Sequence, residues 1–117
     1  LLDLMYRAAT GDLRDVTLEW HDGAAVCVVA SAAGYPAKPR LGDAIDALPE
    51  HDDVLIFHAG TRMDETGQLV TAGGRVLGIT AIAPDLATAR ERAYHVVDQV
   101  HFAGMHVRRD IGARGLA

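Results

Sequence analysis

One cysteine, one tryptophan and one lysine are the whole supply of those residues in a chain of 117. With Cys27 alone, no disulfide can close inside the chain, which fits a reducing, cytoplasmic setting. Aromatic residues make up only 5%. That is too few for a set of base-stacking platforms, so Trp20 and Tyr35 read as core or interface anchors. Positive charge is not in excess: 11 Lys and Arg stand against 16 Asp and Glu, a net charge of −5. A general nucleic-acid partner is excluded on that ground, because nothing would neutralise a phosphate backbone. Charged residues interrupt every apolar segment before it is long enough to cross a bilayer, and no membrane partner is expected. The opening Leu1–Tyr6 has no basic flank and no small-residue cleavage site, so it does not read as a secretory signal.

What is present suffices for one core, since half of the residues are hydrophobic. Leu1, Leu4, Met5 and Ala8 fall on one helical face that Gly11 should end. That segment opens without a cap or turn signal, as expected of a piece of a longer chain. Val16–Trp20 is a strand candidate, and His21-Asp22-Gly23 a hairpin turn after it. Ala24–Ser31 reads as a buried strand, with Cys27 as a small buried hydrophobe. Residues 32–42 form a Gly- and Pro-rich loop, and 42–48 add a turn of helix. Val54–His58 is the next strand. Asp64-Glu65-Thr66-Gly67 tips a hairpin, and Arg75–Ala83 is a long strand with Gly78 inside it. Asp85 is a natural N-cap for a helix over residues 85–102, with an apolar stripe of Leu86, Ala89, Ala93, Val97 and Val100. The order predicts an α+β fold: a mostly antiparallel, twisted sheet of about five to seven strands with a packed C-terminal helix.

Few strings carry chemistry. Gly73-Gly74-Arg75-Val76-Leu77-Gly78 has neither phosphate-loop spacing and reads as a tight turn before a close-packed strand. The histidines show no metal-ligand pattern; His95 and His101 lie nearly two turns apart on the expected helix, and no metal site is expected. His58 ends a strand beside Ala59-Gly60-Thr61, where its ring can line a cleft or simply bond locally. The clearest signal is Arg108-Arg109-Asp110-Ile111-Gly112-Ala113-Arg114. Arginines along a tight segment can converge on a phosphate with forked hydrogen bonds. Gly112 would let backbone amides approach the same anion, and Asp110 would hold one guanidinium. A solvated basic tail is the other reading of the same residues.

Three strings occur here in order: Phe57-His58-Ala59-Gly60-Thr61, Gly73–Ala81 and Arg108-Arg109-Asp110-Ile111-Gly112. Weaker ones accompany them, among them Gly34-Tyr35-Pro36, Ala89–Tyr94 and His101–His106. The set resembles the C-terminal domain of the glycinamide ribonucleotide synthetase (phosphoribosylamine–glycine ligase) family over essentially the whole chain. Departures are a less glycine-rich Ser31–Gly34, Val107 and Ala113 where aromatics are usual, and Arg109 in place of lysine.

The resemblance implies an ATP-dependent ligase of purine synthesis. It joins glycine to 5-phosphoribosylamine through glycyl phosphate, giving glycinamide ribonucleotide, ADP and phosphate. It implies ATP and Mg²⁺ bound mainly outside this chain, in an ATP-grasp region to which residues 1–12 would form the end. Residues 13–117 would be a barrel-sandwich or hybrid-motif-like cap with the rest of the ligase as partner. By that analogy Arg108, Arg109 and Arg114 would bind the substrate phosphate; the local reading adds Gly112 to the same site and leaves His58 and Asp110 as possible cleft-lining residues. No nucleophile or general base is assigned here, and the chain by itself is expected to be inactive. A non-enzymatic interaction module, or the cap of another ATP-grasp ligase such as a carboxylase, stays open at this stage.

Overall fold

The computed structural model describes residues 1–117. Strands β1 (Ala24–Ser31), β2 (Val54–His58) and β5 (Arg75–Ala83) form an antiparallel sheet in the order β1-β5-β2. The longest strand lies in the middle. On one side Val29 stands opposite Gly78, and on the other Phe57 stands opposite the same glycine. Helix α2 (Leu86–Val97) lies on one face of this sheet. Asp85 starts it as its sequence position suggests: one carboxylate oxygen accepts the Thr88 amide at 2.9 Å and the other the Thr88 hydroxyl at 2.8 Å. These bonds favour the ionised carboxylate and hold it below its ordinary range. Ala89, Ala93, Val96 and Val97 are buried in one cluster with Val26, Val28, Ile79 and Ala81 of the sheet. Leu86 packs against that cluster and Val100 lies within it, so the expected stripe is the packed one.

A second, two-stranded sheet is the hairpin of β3 (Thr61–Met63) and β4 (Leu69–Thr71). Asp64 ties its tip, accepting the amides of Thr66 at 2.8 Å and Gln68 at 3.0 Å. The Thr66 hydroxyl and these amides depress the carboxyl pKa. At its base, Gly60 and Gly73 press backbone on backbone: a Cβ built on Gly60 would stand 2.8 Å from the Gly73 Cα.

Several expectations need correction. The α+β class and antiparallel pairing hold, but the strands are five, split between a three-stranded and a two-stranded sheet. Residues 16–20 pair with nothing, so no hairpin closes at Gly23, and Trp20 is 83% exposed. The 42–48 segment is not helical; Ala44 bridges to Val70 and buried Ile45 to Phe102. Helix α2 stops at Val97, capped at Asp98, because the chain must turn back to bury Phe102 beside Ile45. His101 therefore lies beyond the helix that was expected to hold it. β1 alternates instead of burying both faces, and Cys27 points out, exposed. Tyr35 is exposed as well, so for both aromatics the core reading falls and the interface reading stays open.

The N-terminal arm stands off this body. Helix α1 (Leu2–Thr10) buries no residue and ends at Gly11, whose left-handed backbone (φ 75°) closes it as expected. Leu1, Leu2, Met5, Tyr6, Leu13 and Leu18 remain exposed. The radius of gyration, 17.1 Å, accordingly exceeds the roughly 13 Å of a compact chain this long. No helix is long and apolar enough to cross a membrane.

Candidate functional site

The arginine-rich turn follows α2 and is latched to it. The Tyr94 hydroxyl donates to the Arg108 carbonyl oxygen at 2.7 Å and accepts the Ile111 amide at 3.1 Å. Arg90 lies over the Tyr94 ring, 4.8 Å from its centroid, and donates to the carbonyls of Ile111 at 2.9 Å and Arg109 at 2.8 Å. Four carbonyl and amide groups of an irregular segment thus find partners on a helix packed to the core, which fixes the turn.

The three arginines do not converge on one cavity. Arg108 is gripped by Asp110, its Nε at 2.9 Å from one oxygen and an Nη at 2.6 Å from the other. The pairing raises the Arg108 pKa and lowers that of Asp110. Arg109 turns the other way, to Asp98 at 2.6 Å, its guanidinium 5.6 Å from the Tyr94 ring centre. The chain bends at Arg109, and the two side chains reach different partners, Asp110 and Asp98. Arg114 lies in the closing 3-10 turn Ala113–Leu116, exposed. Gly112 serves a corner: at φ 77° it caps that turn, and a Cβ there would meet the Arg90 side chain at 3.5 Å.

The structure brings Arg108 together with Arg75 instead. Both line a cavity of about 370 Å³ on the side of the sheet away from α2, with Cys27, Val29, Tyr35 and His106. Backbone pairing builds it. Ser31 and His106 exchange amide–carbonyl bonds of 2.9 and 3.0 Å, which holds the segment before Arg108 along the end of β1. The Ala32 amide donates to the Gly74 carbonyl at 2.9 Å, and the Ala30/Ser31 register shift sets Arg75 opposite Ser31. Gly74 is required there, since a Cβ would run into the Tyr35 ring. Arg75 has no carboxylate partner, and Arg108 keeps one terminal nitrogen free of Asp110. The cavity therefore presents cationic donors above an apolar floor, the chemistry that holds a phosphate or carboxylate attached to a larger body.

The other sequence candidates lie elsewhere. His58 lines a separate shallow hollow beside Leu48 and His51, and its Nδ1 is 3.0 Å from the Thr61 hydroxyl. Asp110 acts on the cavity only through Arg108. No group of three or more His, Cys, Asp or Glu side chains is close enough to hold a metal ion. Sequence reading overlooked Arg75, whose Gly-Gly-Arg string has no phosphate-loop spacing. It also overlooked Tyr94 and Arg90, since no spacing ties them to a turn 14 to 21 residues away.

Residues 25–114 match the model of the family described as "Phosphoribosylglycinamide synthetase, C domain". A phosphoribosylamine–glycine ligase of Synechocystis is 54% identical over 101 residues, 85% of this chain and 24% of that protein. The ligase of Escherichia coli O157:H7 is 42% identical over 118 residues, 99% of this chain and 28% of the relative. In structure, the crystallographic phosphoribosylamine–glycine ligase of Thermotoga maritima aligns with a TM-score of 0.79 at 38% identity, over 93% of this chain and 26% of that one. The chain thus spans about a quarter of the length of these relatives.

Proposed function

Because the chain belongs to the phosphoribosylglycinamide synthetase C-domain family, we propose that it forms the substrate-phosphate wall of an ATP-dependent ligase joining glycine to 5-phosphoribosylamine. The observation that carries this reading is the pairing of Arg75 and Arg108 in one cavity. Phosphoribosylamine bears its phosphate away from the amine that reacts. Holding that remote anion orients the amine toward the acyl phosphate and converts binding energy into positioning. Arg75 and the free terminal nitrogen of Arg108 supply the donors. Asp110 keeps Arg108 aimed, and Tyr94 keeps its backbone in place. Arg109, Arg114 and Gly112 contribute positive field and turn geometry.

ATP and Mg²⁺ supply the activation of glycine in this reading. The donors gathered here, with no carboxylate cluster among them, do not fit the metal, so both would sit on the remainder of a longer cytoplasmic protein. Residues 1–12 are its last stretch and 13–117 a cap akin to the barrel-sandwich caps of other ATP-grasp ligases. The chain alone should release no ADP when mixed with ATP, Mg²⁺, glycine and phosphoribosylamine. The deciding measurement is steady-state kinetics of the full-length ligase with each substrate varied in turn. Arg75→Ala and Arg108→Ala should impair phosphoribosylamine use while leaving the KM values of ATP and glycine near wild type. Unchanged phosphoribosylamine kinetics in both variants would reject the assignment.

A further inference from the structure

Two hydroxyls in the Arg75–Arg108 cavity bond to nothing inside the chain. The first belongs to Ser31, which ends β1 and stands opposite Arg75 across the register shift. Ser31 is 7% exposed, and Thr71 is the only other buried polar residue. The contrast between them is informative. The Thr71 hydroxyl is used within the fold, accepting the Asp43 amide at 3.1 Å. Ser31 has its backbone satisfied by His106, while its side chain has no partner. Buried polar groups normally have one. No side-chain oxygen in the chain is both sealed from solvent and unpartnered, so the Ser31 hydroxyl opens into the cavity that it lines.

The second is the phenol of Tyr35. Its loop is tightly tied: the Tyr35 amide donates to the Ala32 carbonyl at 3.1 Å, Lys38 to Gly34 at 2.9 Å and Arg40 to Ala33 at 2.8 Å. The ring lies against Gly74 and lines the cavity, half-exposed. A rigidly held tyrosine that the core does not use offers an apolar face and a polar tip to something outside the chain.

We propose that Ser31 and Tyr35 read the sugar of a phosphosugar bound in this cavity, and so set the specificity of the site. The inference rests on the phosphate reading above and adds the ribosyl body to it. Hydrogen-bond chemistry separates the two parts of such a ligand. Guanidinium groups only donate, which suits the acceptor oxygens of a phosphate. A sugar hydroxyl donates and accepts, and the hydroxyls of Ser31 and Tyr35 do both in return. The cavity of about 370 Å³ is in the range of small-molecule sites and exceeds what a phosphate fills. Val29 and Ile111 supply apolar ground for the carbons of the ring.

The experiment compares two phosphate monoesters as competitors of phosphoribosylamine in the full-length ligase. Ribose 5-phosphate carries the furanose; methyl phosphate carries the same charge and no hydroxyl. Ser31→Ala and Tyr35→Phe each delete one hydroxyl and keep every backbone bond, with folding checked by circular dichroism. Each should raise the inhibition constant of ribose 5-phosphate about three- to tenfold, the effect of one neutral hydrogen bond, and leave that of methyl phosphate unchanged. The ratio of the two constants is the readout, because a loosened cavity would weaken both esters together. An unchanged ratio in both variants overturns the inference. Equal weakening of both esters also overturns it, since the hydroxyls would then serve the phosphate or the fold. Arg75→Ala and Arg108→Ala keep the two readings apart. If both esters weaken there while the ratio stays fixed in Ser31→Ala and Tyr35→Phe, the sugar reading alone falls. If neither ester weakens in the arginine variants, both readings fall.

Discussion

Tyr94 holds Arg108 by its backbone: the phenol donates to the carbonyl oxygen of Arg108 at 2.7 Å. The guanidinium that faces the cavity is therefore aimed by a helix on the opposite side of the sheet. Asp110 grips the head of the same residue. Its side chain and its main chain are fixed by different neighbours, and the two can be cut separately.

Cutting the backbone latch is the first test. Tyr94→Phe keeps the ring beneath Arg90 but removes one donor and one acceptor. Each such bond contributes about 1 kcal/mol, with an added cost for the Ile111 amide if it stays dry. A destabilisation of roughly 1–3 kcal/mol in urea unfolding is expected. The full-length enzyme should show a higher KM for phosphoribosylamine than for wild type, with ATP and glycine unaffected.

Cutting the other grip should act differently. Asp110→Asn removes the carboxylate that neutralises Arg108 while the backbone latch remains. Stability should change little, because both partners are more than 60% exposed. A freed fork can swing toward the anion or away from it. Phosphoribosylamine KM is expected to move by about threefold or more, and its salt dependence to steepen. Identical KM and salt response in the variant would detach Asp110 from the site.

Helix α2 gives a pH test. The Asp85 pKa is lowered in the folded chain by its bonds to Thr88. A lowered folded pKa means the contribution is fully present above the unfolded carboxylate value and is lost as pH falls through the folded one. Asp85→Ala should thus melt below wild type at pH 7, and the gap should close in acid, below the usual aspartate range. Thermal melts by circular dichroism across pH 2–7 read this directly; a gap that persists unchanged into acid refutes the capping account.

Phe102 tests the core. It is 1% exposed and bridges to Ile45 after the helix has ended. Phe102→Ala should cost about 3–5 kcal/mol, within the range for a buried aromatic cut to alanine. Equilibrium unfolding should show a lower midpoint, and a loss under 1 kcal/mol would mean that the 98–106 segment is not part of the core.

What could be read in the sequence followed the range of the signals. Asp85 and the Ala89–Ala93–Val97 stripe are local and periodic, and the helix starts where they place it. Its end was misplaced because Phe102 is drawn into the core by Ile45, 57 residues earlier, and no window sees that pair. Cys27 misled for a related reason: an unbroken apolar run reads as two buried faces, yet one face of β1 has nothing on it within this chain. The arginine turn was visible as charge, but its partition was not. Whether Arg108 or Arg109 faces the cavity depends on Tyr94 and on the Ser31–His106 bridge. Arg75 reached the site through a register shift in β1, which composition cannot express.

The backbone contact at Gly60 and Gly73 bears on how this gene can vary. Every missense change at the first or second base of a glycine codon installs a side chain. At Gly67 the space around the residue is empty and the obstacle is the left-handed backbone alone (φ 82°), which strains any added side chain. At Gly60 even the smallest of them puts a carbon 2.8 Å from the opposing main chain and 2.5 Å from the Arg75 carbonyl oxygen. The β3–β4 hairpin and the strand that begins with Arg75 would have to part. The Gly60 codon is thus held to silent drift by main-chain geometry, with no role in binding needed to explain it, whereas a Cβ at Gly73 would stand 3.2 Å from the Gly60 Cα and ask only a small shift.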